Sequence, residues 1–67
     1  MNYQVYIKRK EHRLRQSDVA KKIGMSTQSY RLKETGQREF TVSEARRMAL
    51  LYNCKLDDLF SVELEVI

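Results

Sequence analysis

The stretch Gln16–Gly36, QSDVAKKIGMSTQSYRLKETG, decides the fold of this chain. Its first half places Val19, Ala20 and Ile23 at the i, i+1, i+4 spacing by which a helix buries one face. Gly24 comes directly after this apolar stripe, where a left-handed backbone conformation can end a helix at least cost for glycine. The pattern therefore predicts a short helix that begins at Gln16 and ends at Ile23.

A second short helix is expected after a turn of three residues. Ser26 can accept a backbone N–H and cap this helix, and Thr27, Gln28 and Ser29 place short polar side chains on its first turn. We expect the helix to cover residues 27–35. Two short helices joined by a tight turn are the layout of a helix-turn-helix, which presents the start of its second helix to the major groove of DNA.

Length and composition limit the class of protein. The chain has 67 residues, which suits one small domain. One cysteine, Cys54, and one histidine, His12, cannot form an internal disulfide or a structural zinc site. No apolar run approaches the roughly 20 residues of a membrane span, and charges replace the apolar core of a signal peptide. We expect a soluble cytoplasmic protein without metal, cofactor or small-molecule substrate.

Charge is distributed unevenly along the chain. Residues 1–40 hold ten Lys or Arg against four Asp or Glu, whereas residues 41–67 hold three against five. The basic part contains the predicted helix-turn-helix. Basic side chains beside such a motif are what a surface facing DNA phosphates needs, although the same charges can also serve only to solvate helix faces.

Three further helices are expected, at residues 3–12, 41–53 and 55–60. Thr41 and Glu44, in the sequence T-V-S-E, fit the capping box that starts a helix. The first helix is ambiguous, because Tyr3, Val5 and Ile7 also alternate as they would in a strand.

Gly36 and Asn53 are suited to end the third and fourth helices. The predicted fold class is all-α, with a domain at residues 1–60 and a short tail at residues 61–67. The predicted core consists of Leu14, Val19, Ala20, Ile23, Tyr30, Met48, Ala49, Tyr52, Cys54, Leu56, Leu59 and Phe60.

The tail, SVELEVI, alternates apolar and polar side chains, which is typical of a strand. Because an isolated strand is unstable, the tail either pairs with the N-terminus, contacts a second subunit, or frays. Leu50, Leu51 and Val62–Ile67 are the candidate contacts of a dimer.

Three stretches resemble the Cro/repressor (XRE) family of helix-turn-helix regulators: R-Q-S-D-V-A-K-K-I-G-M-S, S-Y-R-L-K-E-T-G and L-D-D-L-F. Tyr30, residues 33–36, Phe40-Thr41 and Glu44-Ala45 further resemble a subgroup from prophages and mobile elements of Gram-positive bacteria. The resemblance covers about residues 5–60. It implies a compact five-helix, lambda-repressor-like domain that binds an operator in double-stranded DNA as a homodimer and controls transcription, chiefly as a repressor.

The resemblance also implies roles for individual residues. The family's helix-two glutamine, here Gln16, contacts a phosphate, and Arg31 points to a phosphate or the groove edge unless it pairs with Glu34. Arg9 and Glu34 match an ion pair between helices one and three. The DNA-binding positions implied are Gln16, Ser17, Ser26, Thr27, Gln28, Arg31, Gln37 and Arg38.

Two positions depart from the family pattern. Arg15 stands where an N-capping Ser or Thr is usual, so we expect Ser17 to cap the second helix instead. Lys33 stands where Ile or Leu is common, so we expect its stem to pack and its ammonium to reach outward to a phosphate.

Other classes of function are less well supported by the sequence. Asp57 and Asp58 are adjacent acids, but they complement the dipole of a short helix and no nucleophile accompanies them, so an enzyme is not expected. The alternatives to a repressor are a protein-interaction module on the same fold, such as an antirepressor or antitoxin, and an accessory recombination protein of the excisionase kind.

Overall fold

The computed structural model describes residues 1–60, and within them every regular element is an α-helix. In chain order the helices are α1 (Tyr3–Glu11), α2 (Gln16–Ile23), α3 (Thr27–Glu34), α4 (Val42–Tyr52) and α5 (Leu56–Leu59). The predicted all-α fold of five helices is confirmed, and the alternating start of the chain is helical. The strand and dimer predictions for residues 61–67 lie outside the described residues.

Helix ends are set by the local signals that the sequence contains. Gly24 has a φ of 81° after α2, and the Ser26 hydroxyl accepts the Ser29 N–H at 3.1 Å at the start of α3. At α4 the Thr41 hydroxyl accepts the Glu44 N–H at 3.1 Å, and the Glu44 carboxylate accepts the Thr41 N–H at 2.9 Å. These bonds satisfy backbone donors that a helix start otherwise leaves free.

The start of α2 differs from the prediction. Arg15 is the N-cap residue and Ser17 does not cap the helix. The Asp18 carboxylate instead reaches back and accepts the Arg15 backbone N–H at 2.9 Å. An acid at the third helical position thus satisfies the backbone N–H of the N-cap residue, which is the second of the two bonds of a capping box.

The end of α3 falls one residue earlier than predicted. Thr35 caps the helix with near-helical dihedrals, φ −79° and ψ −7°. The left-handed conformation falls on the next residue, Gly36, at a φ of 92°. Gly36 therefore turns the chain out of the helix, as glycine does just beyond a helix end.

The core lies between all five helices. Its buried apolar residues are Val5, Val19, Ala20, Ile23, Tyr30, Met48, Tyr52 and Leu59. Leu14, Ala49, Cys54 and Phe60 are half-buried against this core. The prediction for Leu56 is wrong, because 39% of its surface is exposed. Val5 is missing from the predicted core, since its alternation with Tyr3 and Ile7 hides the helical stripe.

Packing of the helices gives α3 a fixed place in the domain. Helix α3 packs mainly on α2, and α1 also contacts it, while α4 and α1 both pack on α5 and α4 covers α2. Within residues 1–60, no helix has the length and apolar character needed to cross a bilayer. The result is a small bundle in which one side of α3 remains available to solvent.

Candidate nucleic-acid interface

The first turn of α3 presents polar side chains to solvent. Ser26, Thr27 and Gln28 are exposed, and Ser29 is half-buried. The Ser26 oxygen accepts the N–H that caps the helix, so its hydroxyl proton remains free to be donated. Thr27 and Gln28 keep their full hydrogen-bonding capacity within the described residues, which is what a surface that reads another molecule requires.

The first turn of α2 lies beside the other half of α3. Ser17 is exposed and Gln16 is half-buried. The Gln16 amide is close enough to the Glu34 carboxylate to contribute to its electrostatics. Gln16 therefore lies near the last turn of α3, whereas Ser26, Thr27 and Gln28 lie at the start of that helix.

Arg9 and Glu34 form a buried ion pair between α1 and α3. Arg9 Nε lies 2.9 Å from Glu34 Oε1, and Arg9 Nη2 lies 3.0 Å from Glu34 Oε2. The guanidinium also donates to the Leu14 carbonyl at 2.9 Å. This two-pronged geometry is the strong form of an Arg–carboxylate contact, and it leaves Glu34 unavailable to Arg31, which is exposed.

The ion pair shifts the pKa of both partners. Burial favours the neutral form of Glu34, but the hydrogen bond and charge of Arg9, together with weaker polar contacts, outweigh it and hold the pKa of Glu34 below its ordinary value. The bond to Glu34 correspondingly raises the pKa of Arg9. Both groups are therefore charged at neutral pH, and the pair holds α1 against α3.

Two tyrosine hydroxyls are buried close to this ion pair. Burial raises the pKa of Tyr52 to about 12 and raises that of Tyr30 further. Within residues 1–60 neither hydroxyl has a hydrogen-bond partner. Both tyrosines stay neutral at physiological pH and serve the core rather than the exposed surface.

Asn2 binds the carboxyl end of α3, a contact that sequence reasoning missed. Its backbone N–H donates to the Glu34 carbonyl at 2.9 Å, and its side-chain amide donates to the Lys33 carbonyl at 2.7 Å. Asn2 occupies the N-cap position of α1 but makes no side-chain capping bond there. It instead donates to two carbonyls at the end of α3, of which that of Lys33 also accepts the Gly36 N–H at 3.2 Å.

Lys33 does not reach outward as predicted. Its ammonium binds Glu44 Oε1 of α4 at 2.6 Å, and the two side chains are only 13% and 17% exposed. Burial disfavours the charged form of Glu44, but the hydrogen bonds from Lys33 and Thr41 and the charge of Lys33 together outweigh it and lower the pKa of this carboxyl. The aliphatic stem of Lys33 packs as expected, but its ammonium binds a carboxylate of α4 instead of facing solvent.

Arg47 of α4 fixes the turn of the helix-turn-helix. Its guanidinium donates to the Ile23 carbonyl at 3.0 Å, at the end of α2 and directly before Gly24. A basic side chain complements the negative end of the helix dipole there. The only sequence signal for this role is an arginine in the middle of an amphipathic helix.

The loop after α3 exposes Gln37 and Arg38. Their backbone N–H groups both donate to the Leu32 carbonyl, at 2.8 Å and 3.2 Å. The Gln37 side chain makes a local bond to the Thr35 hydroxyl at 3.3 Å. The backbone of this loop is thus tied to α3, while the Arg38 side chain is directed to solvent.

Two short helices, a tight turn, and an exposed polar first turn on the second helix define a helix-turn-helix domain. The family model for helix-turn-helix proteins of the Cro/C1 type matches residues 5–59, and the chain belongs to this family of DNA-binding regulators. Comparison with curated proteins and with solved structures finds no match.

Proposed function

We propose that this protein binds a specific operator in double-stranded DNA as a small cytoplasmic transcriptional regulator, chiefly a repressor that occupies a promoter. The observation that carries the proposal is the first turn of α3, where Ser26, Thr27 and Gln28 are exposed on a helix held firmly by α1, α2 and α4. Contacts to base edges specify a sequence, whereas contacts to phosphates position the protein. This turn supplies side chains suited to base edges.

Base readout is assigned to the first turn of α3. The amide of Gln28 can bind N6 and N7 of an adenine in the major groove. Thr27 offers a hydroxyl to a base or phosphate and a methyl group to a thymine. Ser26 can donate its remaining hydroxyl proton, because its oxygen already serves the cap.

Phosphate binding is assigned to side chains flanking the bases. Gln16 and Ser17 lie on the first turn of α2, where free backbone N–H groups favour an anion. Arg31, Gln37 and Arg38 are exposed along α3 and the following loop. Because Arg9 occupies both carboxylate oxygens of Glu34, Arg31 does not pair with Glu34. This supports a role for Arg31 at the DNA surface.

A homodimer would place two α3 helices in successive major grooves about 34 Å apart. Single modules bury only about 600–1,000 Å² and bind weakly, which favours a dimer. Leu50 is 81% exposed and remains a candidate for the dimer contact. Leu51 is half-buried against the core and is a weaker candidate. An origin in a prophage or mobile element of Gram-positive bacteria is part of the same proposal.

Selection of binding sites from random duplex DNA tests the function directly. The experiment is run at roughly 50 and 200 mM salt, because phosphate contacts alone weaken steeply over this range. We expect an inverted-repeat motif with the wild-type chain, and a relaxed motif with Gln28→Ala. Binding that collapses with salt and yields no motif would contradict the proposal and favour a protein-interaction module on this fold.

A further inference from the structure

Glu44 joins the two ends of the loop that carries Gln37 and Arg38. Its Oε1 atom accepts from Lys33 Nζ at 2.6 Å, just before the loop, and from the Thr41 N–H at 2.9 Å, where the loop ends. One carboxylate oxygen therefore binds both sides of the loop. We name this arrangement, formed by Lys33, Glu44 and Thr41, the loop clasp.

We propose that the loop clasp is a positioning device for DNA binding, in which Glu44 strengthens the grip on DNA although it is itself negatively charged. The inference rests on the proposed function, since it assumes that Gln37 and Arg38 contact phosphates. Lys33 and Glu44 act through these two residues and do not themselves touch the DNA.

Burial of the ion pair supports a positioning role over a surface salt bridge. The side chains of Lys33 and Glu44 are 13% and 17% exposed. Exposed ion pairs contribute little because water screens them, whereas a largely buried pair fixes its partners in place and is costly to break. The Lys33 ammonium is consequently unavailable to a phosphate while the pair is formed.

The interior of the loop is held by further contacts, and the loop clasp adds to them at both ends of the loop. The Phe40 ring packs at 6.0 Å from Tyr30 and at 5.6 Å from Phe60, measured between ring centroids. The backbone N–H groups of Gln37 and Arg38 both donate to the Leu32 carbonyl. A short loop tied at both ends presents its side chains in a narrow range of positions.

The loop clasp and simple electrostatics predict opposite effects of removing Glu44 on the affinity for DNA. Removing a carboxylate near DNA strengthens binding when the charge acts only through its field. Removing Glu44 also frees Lys33, which would strengthen binding further if Lys33 bound a phosphate. The loop clasp requires the reverse, because the loss of Glu44 displaces Gln37 and Arg38.

The test compares Glu44→Gln with Glu39→Gln on a labelled duplex that carries the selected site. Glutamine still serves a capping box, so Glu44→Gln keeps the bond to Thr41 and the start of α4 and removes only the ion pair that joins Lys33 to the clasp. Glu39 is an exposed acid of the same loop without an ion pair in residues 1–60, which makes it the matched control. We expect Glu44→Gln to weaken binding by about fivefold, the scale of coupling between contacting residues, and Glu39→Gln to leave it equal or stronger.

Lys33 variants complete the experiment. Lys33→Met should weaken binding as Glu44→Gln does, the double variant should be no weaker than either single one, and Lys33→Arg should restore wild-type affinity. Equal or tighter binding by Glu44→Gln would overturn the proposal. So would weakening by Lys33→Met alone, which would place Lys33 directly on a phosphate.

A measurement without DNA separates this inference from the proposed function. Amide hydrogen exchange at Gln37 and Arg38 reports their bonds to Leu32, and we expect it to accelerate several-fold in Glu44→Gln but not in Glu39→Gln. Accelerated exchange together with a wild-type chain that selects no DNA motif would overturn the function while retaining the clasp. Unchanged exchange with intact DNA binding would overturn the clasp alone.

Discussion

The two ends of α3 differ in how they are held. At the first turn, Ser26 and Ser29 make a local capping bond, and Thr27 and Gln28 face solvent. At the last turn, side chains and carbonyls bind two other helices. Glu34 binds Arg9 through its carboxylate and Asn2 through its carbonyl. Lys33 binds Glu44 through its ammonium and Asn2 through its carbonyl.

Holding α3 by one end allows so small a domain to fix this helix and still expose part of it. Side chains that recognise a partner must be available, yet their helix must not move when they bind. Anchoring α3 by its last turn fixes its direction without occupying the polar groups of its first turn. Substitutions at the last turn should therefore change stability, and substitutions at the first turn should change DNA recognition.

Breaking the ion pair of α3 with α1 should have the largest effect on stability. Glu34→Ala leaves the buried Arg9 charge without its partner, which costs about 3–5 kcal/mol in comparable cases. Urea denaturation followed by circular dichroism measures the loss. Replacing both residues, as in Arg9→Met with Glu34→Met, should recover most of the stability, since no buried charge remains. A double variant as unstable as Glu34→Ala would contradict this explanation.

Low pH should weaken the ion pair of Arg9 with Glu34 and so lower the free energy of unfolding. The pKa of Glu34 is lowered from its ordinary value of 4.5 in the folded protein. Its stabilising contribution is therefore complete above pH 4.5 and is lost as the pH falls through the lower, folded pKa. Urea titrations from pH 7 to acid should show a smaller loss for Arg9→Met with Glu34→Met than for wild type. Part of the loss should remain, because Glu44 and Asp18 also have lowered pKa values.

The bond from Arg47 to the end of α2 should contribute less to the free energy of unfolding than the ion pair does. Arg47→Met removes the bond to the Ile23 carbonyl and should lower the free energy of unfolding by about 1–2 kcal/mol. Arg46→Met is the matched control, because Arg46 is an exposed neighbour on the same helix and should change stability by less than about 0.5 kcal/mol. Equal effects in thermal denaturation would contradict the role of Arg47.

Asn2→Ala should lower the free energy of unfolding by less than Arg47→Met does. It removes the side-chain bond to the Lys33 carbonyl and keeps the backbone bond to Glu34. We expect a loss of about 0.5–1.5 kcal/mol in the free energy of unfolding, measured in urea. Faster amide exchange should appear in the last turn of α3 rather than in its first turn. Acceleration confined to the first turn would contradict the assignment.

Gln28→Ala should have the smallest effect on stability, within about 0.5 kcal/mol, because the side chain is exposed. This result would show that the Gln28 side chain is dispensable for folding. Differential scanning calorimetry beside wild type measures the change. A loss above about 1 kcal/mol would mean that the first turn also supports the fold.

Local patterns allowed most of the fold to be predicted from sequence. Helix ends depend on residues that contact only neighbours within a turn or two of chain, as at Gly24, Asn53, and Thr41 with Glu44. Short sequence motifs therefore predict these ends. The exposed positions of Ser26 and Gln28 follow from the same periodicity.

Contacts between residues distant in sequence could not be predicted in this way. Asn2 binds Lys33 across 31 positions, and Arg47 binds Ile23 across 24. Which polar side chain meets which helix end depends on how the helices pack. For the same reason Lys33 turns toward Glu44 rather than outward.

We propose that the first turn of α3 reads bases while its last turn only holds the helix. The most direct test measures the affinities of wild type and Gln28→Ala for the selected duplex and for versions with each adenine pair replaced in turn. We predict that one replacement costs wild type about 1–3 kcal/mol and costs Gln28→Ala almost nothing. Identical base preferences in both chains would contradict the claim.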